Sequence, residues 1–211
     1  MTKAARECLI IFTRYPEPGK TKTRLIPVLG AEGAARLQRQ MTEQTLAQVK
    51  ELKAFRPLSV EVHFAGGNQQ LMQDWLGSDI IYRQQSEGDL GRRMALAFKE
   101  SFSAGMTGVV IIGTDCPDLN AQLMVKAFHA IEQNDLVLGP ALDGGYYLIG
   151  LRRLIPELFT GISWSTAEVL EQTRSIAERL DLAIAFLPLL NDIDRPEDLI
   201  GQTVDGYQVE G

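Results

Sequence analysis

"GVVIIGTDCPDL", residues 108–119, joins an unbroken β-branched run to a loop carrying Asp115 and Asp118. An uninterrupted apolar strand suits a parallel sheet covered on both faces, because neither side of it meets water. Comparable runs recur along the chain: "CLIIF" (8–12), "LSVEVHF" (58–64), "DIIYR" (79–83), "DLVLG" (135–139), "GYYLIGL" (145–151) and "LAIAFL" (182–187). Amphipathic stretches at 31–52, 69–76, 89–103, 119–133 and 165–180 lie between them, with Leu37, Met41, Val49 and Leu52 marking the apolar stripe of the first. The alternation predicts an α/β sandwich with right-handed crossovers, one domain over residues 1–211.

Composition limits what such a domain does. With 45% hydrophobic and 23% charged residues in 211, there is chain enough for one sizeable core. A net charge of −6 and the absence of a long Lys/Arg run argue against nucleic acid or a membrane surface as partner. The apolar run Cys8–Phe12 is too short for a signal-peptide core, and no stretch approaches a transmembrane span, so the expected location is cytoplasmic. Two cysteines, Cys8 and Cys116, and two histidines, His63 and His129, make neither a zinc cluster nor a disulfide framework. Both thiols are expected to be free.

In an open α/β sheet, ligands bind beyond the carboxyl ends of the strands. The first strand runs into "TRYPEPGKTKTRL" (13–25), the fourth into "TDCPDL" (114–119), the fifth into "PALDGG" (140–145) and the last into "PLLNDIDRPEDL" (188–199). The first loop contains "GKT", but a Walker motif needs a glycine five residues before Gly19, where Arg14 stands. No G-x-G-x-x-G follows a strand, so NAD and FAD drop out. Lys20, Lys22 and Arg24 alternate with threonines after a strand, where cations, hydroxyls and backbone N–H groups can converge on phosphate. The phosphate-binding candidates are Thr13, Arg14, Lys20, Lys22, Thr23 and Arg24, and the loop cations are expected to be exposed.

Asp115 and Asp118 would repel each other unless a cation lay beside them. Hard oxygen donors without His or Cys point to Mg²⁺ or Mn²⁺. Asp118 reads equally as a helix N-terminal signal, so Asp115 weighs more; Asp192 or Asp194 in "NDID" adds a further carboxylate. Asp143 in "LDGGYY" is a candidate acceptor-orienting group or general base, or the side chain of a tight turn bonding its own backbone. Gly144 and Gly145 allow close backbone approach. Tyr146 and Trp164 are candidates for an acceptor pocket, with Ser165 or Thr166 beside Trp164 as a helix cap. Arg92 and Arg93, on the first turn of a helix, hint at an anionic partner.

"FTRYPEPGKTKTRL", "GDLGRRM", "IIGTDCPDL", "LGPALDGGYYLIGL" and "DIDRPEDL" together resemble the DUF2064 family of nucleotide-diphospho-sugar transferase-like proteins, which includes glycosyltransferases of the arsenosugar-biosynthesis type. That family is similar to the glycosyltransferase-A superfamily, whose relatives include nucleotidyltransferases. The resemblance implies a three-layer α/β/α sandwich with a mixed, mostly parallel sheet. It places nucleotide phosphate on Lys20, Lys22 and Arg24, a divalent ion on Asp115, and the acceptor by Asp143, Gly144 and Gly145. "GTDCPDL" departs from a strict Asp-x-Asp, since Asp115 and Asp118 are three apart. The implied activity is sugar transfer from a nucleoside diphosphate to a small acceptor. Nucleotidyl transfer from an NTP, with release of pyrophosphate, and nucleotide binding without catalysis are the alternatives.

Overall fold

The computed structural model describes residues 6–199 and the backbone of two short antiparallel strands, β8 (Thr203–Val204) and β9 (Tyr207–Gln208). The first five residues of the domain expected over 1–211, and most of its last twelve, lie outside the described residues. Seven strands, β1 (Glu7–Arg14), β2 (Ser59–Ala65), β3 (Ile81–Gln84), β4 (Gly108–Ile112), β5 (Leu136–Pro140), β6 (Tyr146–Leu151) and β7 (Ile184–Phe186), form one sheet in the order β3-β2-β1-β4-β6-β5-β7. Every pairing is parallel except those of β6, which runs antiparallel to both β4 and β5. The cause is local. Only residues 141–145 separate β5 from β6, too few for a crossover, so the chain must turn back.

Period-two alternation along each strand sorts the core into two layers. Leu9 and Ile11 of β1, with Val62, Phe64, Val110, Ile112 and Val137, meet α1 (Ile26–Phe55), α2 (Gln69–Leu76) and α4 (Ala121–Gln133) through Val49, Leu52, Met72, Met124 and Phe128. Cys8 and Ile10, with Val109, Ile111, Leu138 and Ile149, face α3 (Leu90–Ser103) and α5 (Val169–Arg179) through Met94, Phe98, Val169 and Ile176. β4 is buried at all five positions, as its sequence demanded. The architecture is thus a three-layer α/β/α sandwich. Among the described residues, no helix is long and apolar enough to cross a membrane.

Helix ends show which polar residues serve the backbone. Asn68, Asp89 and Asn120 accept from Leu71 N, Arg92 N and Leu123 N at 3.0, 2.8 and 3.1 Å, capping α2, α3 and α4. Asn120, not Asp118, therefore starts α4. Neither Ser165 nor Thr166 caps α5, whose N-cap is Glu168. Thr166 Oγ1 instead donates to Ser163 O at 2.7 Å.

Candidate active site

The carboxyl ends of β1, β4 and β5 open into a cavity of about 1090 Å³. That is roughly the upper size of a pocket enclosing a small organic ligand. The segment after β7 stitches the loops together. Leu190 N donates to Pro140 O at 3.1 Å, Leu142 N to Leu190 O at 3.0 Å, and Ile193 N to Asp115 O at 2.8 Å. Asn191, Asp192 and Asp194 are thereby brought to the cavity wall beside Asp115 and Asp143.

Beneath the cavity, Thr13 and Thr42 share a 2.9 Å hydroxyl–hydroxyl bond, and Gln38 Nε2 reaches Thr13, Thr42 and Thr114 Oγ1 at 3.3, 3.2 and 3.3 Å. All four residues are buried. This neutral knot ties β1, α1 and the exit of β4. The hydroxyl of Thr13, a phosphate candidate by sequence, is already committed to it.

The basic loop is less exposed than its composition suggests. Lys22 sits in the left-handed region (φ 46°, ψ 43°), a backbone state that non-glycine residues adopt at a cost. Its side chain is only 3% exposed, with Nζ 2.6 Å from Asp115 Oδ1. The same ammonium donates to Ile193 O. The expectation of an exposed cation fails here, because the loop folds inward to meet an acidic partner. Lys20 is exposed and pairs with Glu17 at 2.7 Å, and Arg24 pairs with Asp194. Thr23 is exposed and lines the cavity.

Opposite lies an acidic cluster. Burial first, then the charge of Asp143, and less strongly of Asp198 and Asp115, pushes the Asp192 carboxyl above its usual range. Cys116 is buried, and its thiol is pushed up by desolvation and by Asp192, Asp115 and Asp143 together. Asp143 Oδ1 accepts from Gly145 N at 2.7 Å, which is the tight-turn arrangement, and the residue also lines the cavity. Gly144 (φ +86°) is obligatory, since a Cβ there would lie 2.2 Å from Ala167 O. Its carbonyl accepts from Leu170 N at 2.9 Å, holding the turn against α5. Asp118 does not line the cavity.

Trp164 lines the cavity and lies flat against the start of α3, where a Cβ on Gly91 would stand 2.4 Å from the indole. Tyr146 also lines it, with its hydroxyl enclosed beside Thr173. Burial pushes that phenol up.

Sequence reasoning missed Gln38, Thr114 and Gln85. Gln38 had a readable signal, a polar side chain beside Leu37 on the apolar stripe of α1. Gln85 had none, because its role comes from contacts between separate elements. Its Nε2 donates to His63 O at 2.8 Å and Thr13 O at 3.3 Å, and its Oε1 accepts from Arg93 Nη1 at 2.7 Å.

A mixed, mostly parallel sheet between two helical layers, with a cavity at its carboxyl edge, is the architecture of an α/β protein of the glycosyltransferase-A-like type. The family described as "Uncharacterized protein conserved in bacteria (DUF2064)" matches residues 34–166. The chain belongs to that family. A provisionally named nucleotide-diphospho-sugar transferase from Desulfovibrio desulfuricans G20 is 36% identical, with a TM-score of 0.84 over 90% of this chain and 83% of that one. More distant structures share the fold alone. The 4-diphosphocytidyl-2C-methyl-D-erythritol synthase of Anaerococcus prevotii DSM 20548 has 14% identity and a TM-score of 0.61, covering 92% of each chain. Rv0371c of Mycobacterium tuberculosis H37Rv, in complex with manganese, has 14% identity and a TM-score of 0.54, covering 93% of this chain and 96% of that one. No curated protein matches.

Proposed function

We propose that the protein transfers a sugar from a nucleoside diphosphate sugar to the hydroxyl of a small acceptor. The observation that carries this reading is that one cavity holds both charges: Arg14, Lys20, Lys22, Arg24, Arg93 and Arg195 with Asp115, Asp143, Asp192, Asp194 and Asp198. A diphosphate matches the cations. The carboxylate-rich part suits a neutral hydroxyl and repels the anionic phosphate that a nucleotidyltransferase needs as its nucleophile. Likeness to the Desulfovibrio protein supports the same chemistry.

A divalent ion, Mg²⁺ or Mn²⁺, fits the donor chemistry. Among the described residues no group of three or more ligating side chains stands ready as a cage. Mg²⁺ seldom asks for one, binding through one or two carboxylates plus substrate phosphates. Burial, and then the charge of Asp143, raises the proton affinity of Asp192, a cost that a cation beside it would relieve. Asp115 and Asp192 would hold the ion, which when bound would neutralise charge on the diphosphate. The chain's own part is to position. Lys22 orients Asp115, and Arg24 and Lys20 bring cationic charge to the leaving group. The Gly145 N–H fixes one oxygen of Asp143 so that the carboxylate can take the acceptor proton.

Nucleotidyl transfer is the second reading, because the cavity's cations would equally receive a third phosphate. Product release separates the two readings. Sugar transfer predicts nucleoside diphosphate from a sugar nucleotide, with turnover reduced about 10²–10⁴-fold by Asp143→Asn and donor affinity nearly intact. Pyrophosphate release from an NTP that survives Asp143→Asn would replace this reading with the second.

A further inference from the structure

The loop that its composition marks as the anion site is largely neutralised from within. Lys20 is paired with Glu17, Lys22 with Asp115 and Arg24 with Asp194. Three other arginines line the same cavity: Arg195 after β7, Arg14 at the end of β1 and Arg93 in the first turns of α3. Among the described residues, none of the three has a carboxylate within ion-pair distance; Arg14 and Arg93 are the two that act on each other electrostatically.

Their placement is built. Arg93 Nη1 donates to Gln85 Oε1 at 2.7 Å and its Nε to Asp89 O at 3.3 Å, neutral oxygens that orient the guanidinium without discharging it. Gln85 is itself pinned to the backbone of β1 and β2, so the fork is held from the sheet. Both arginines line the one cavity; burial and then repulsion from Arg14 lower the proton affinity of Arg93, with Asp89 acting the other way. Two guanidinium groups on one cavity wall, neither held in an ion pair, are free to meet an anion with paired hydrogen bonds.

Resting on the transferase reading, we propose that Arg14 and Arg93 form the principal phosphate subsite of the cavity, taking a phosphate or diphosphate group by paired guanidinium contacts. The basic loop is secondary, because each of its cations must first release a carboxylate. Two sources carry this chemistry, the donor nucleotide and a phosphorylated acceptor.

Calorimetry on the full chain with pyrophosphate as probe tests the subsite independently of turnover. Arg14→Met and Arg93→Met should each weaken pyrophosphate about tenfold or more, with Arg93→Lys recovering part of the loss and Lys20→Met costing less than either. Arg14 is exposed, so its variant keeps the test free of folding effects. If UDP, GDP or ADP weakens in parallel, the anion belongs to the donor; if only pyrophosphate weakens, it belongs to the acceptor. Unchanged pyrophosphate affinity in both Met variants, or no pyrophosphate binding by the parent, overturns the subsite. A parent that binds pyrophosphate through both arginines yet releases nothing from sugar nucleotides keeps the subsite and overturns the transferase reading.

Discussion

Two polar clusters meet at the carboxyl edge of the sheet, and they are built on opposite principles. Gln38, Thr13, Thr42 and Thr114 are neutral, buried and mutually hydrogen-bonded. Asp115, Asp143 and Asp192 are charged, partly exposed and crowded, with one buried ammonium, Lys22, among them. A satisfied network fixes geometry, because every alternative leaves a donor or acceptor unpaired. A crowded set of carboxylates stores repulsion and is relieved by a ligand. The first cluster is the frame and the second is what the frame holds in place.

Lys22→Met attacks the contrast at its strongest point. It strips the ammonium from Asp115 and Ile193 O and leaves three carboxylates without their internal cation. Removing one partner of a fully buried pair costs about 3–5 kcal/mol. Asp115 is half exposed and can rehydrate, so the expected loss is about 1–3 kcal/mol. For a chain of this size that lowers Tm by about 2–4 °C per kcal/mol. An unshifted Tm would mean that Lys22 does not hold the acidic cluster together.

Gln38→Leu probes the frame, with a smaller effect. The amide donates to three hydroxyls, but each hydroxyl can rotate to another oxygen: Thr42 Oγ1 already reaches Gln38 O at 2.9 Å and shares a bond with Thr13. A loss of about 1–2 kcal/mol is expected, the cost of buried polar groups left with fewer partners. Turnover should fall little if the frame only positions β1 and β4. A collapse of turnover with intact stability would place Gln38 in the chemistry and dissolve the distinction between the clusters.

How far this contrast could be read from sequence depends on the range of the contacts involved. The frame's strands were legible, since an apolar run such as "VVII" admits few environments. The helix at 69–76 was matched to the residue. That the sheet is mixed followed from family resemblance; that β6 is the antiparallel strand was not read, although the five-residue connection from β5 already forbade a crossover. At the site, the loops were legible because strand ends point there. The pairings were not. That Lys22 folds inward to Asp115, 93 positions away, or that Arg93 and Arg14 line one cavity without an ion pair, is set by the packing of separate elements. Composition read the loop as exposed and anion-binding, and the structure shows its charges already answered.

The smallest effect is the most specific to the stored repulsion. The Asp192 carboxyl binds its proton more tightly in the fold than the ordinary value of 3.8, chiefly through burial and then Asp143. The folded protein therefore holds more protons than the unfolded chain between that ordinary value and the raised one, and stability falls as pH rises through the interval. Below it both states are protonated and above it both are ionised, so the penalty is absent at low pH and fully present at neutral pH. Asp192→Asn removes the titration. Its Tm relative to the parent should be higher at about pH 7 than at about pH 3.5, with the change confined to the interval between. Mg²⁺ or Mn²⁺ should reproduce the same gain in the parent at neutral pH and give less in Asp192→Asn, because a bound cation and a neutral amide relieve the same repulsion. Parallel pH profiles for the two proteins would show that Asp192 carries no stored charge, and the acidic cluster would then be as settled as the frame beneath it.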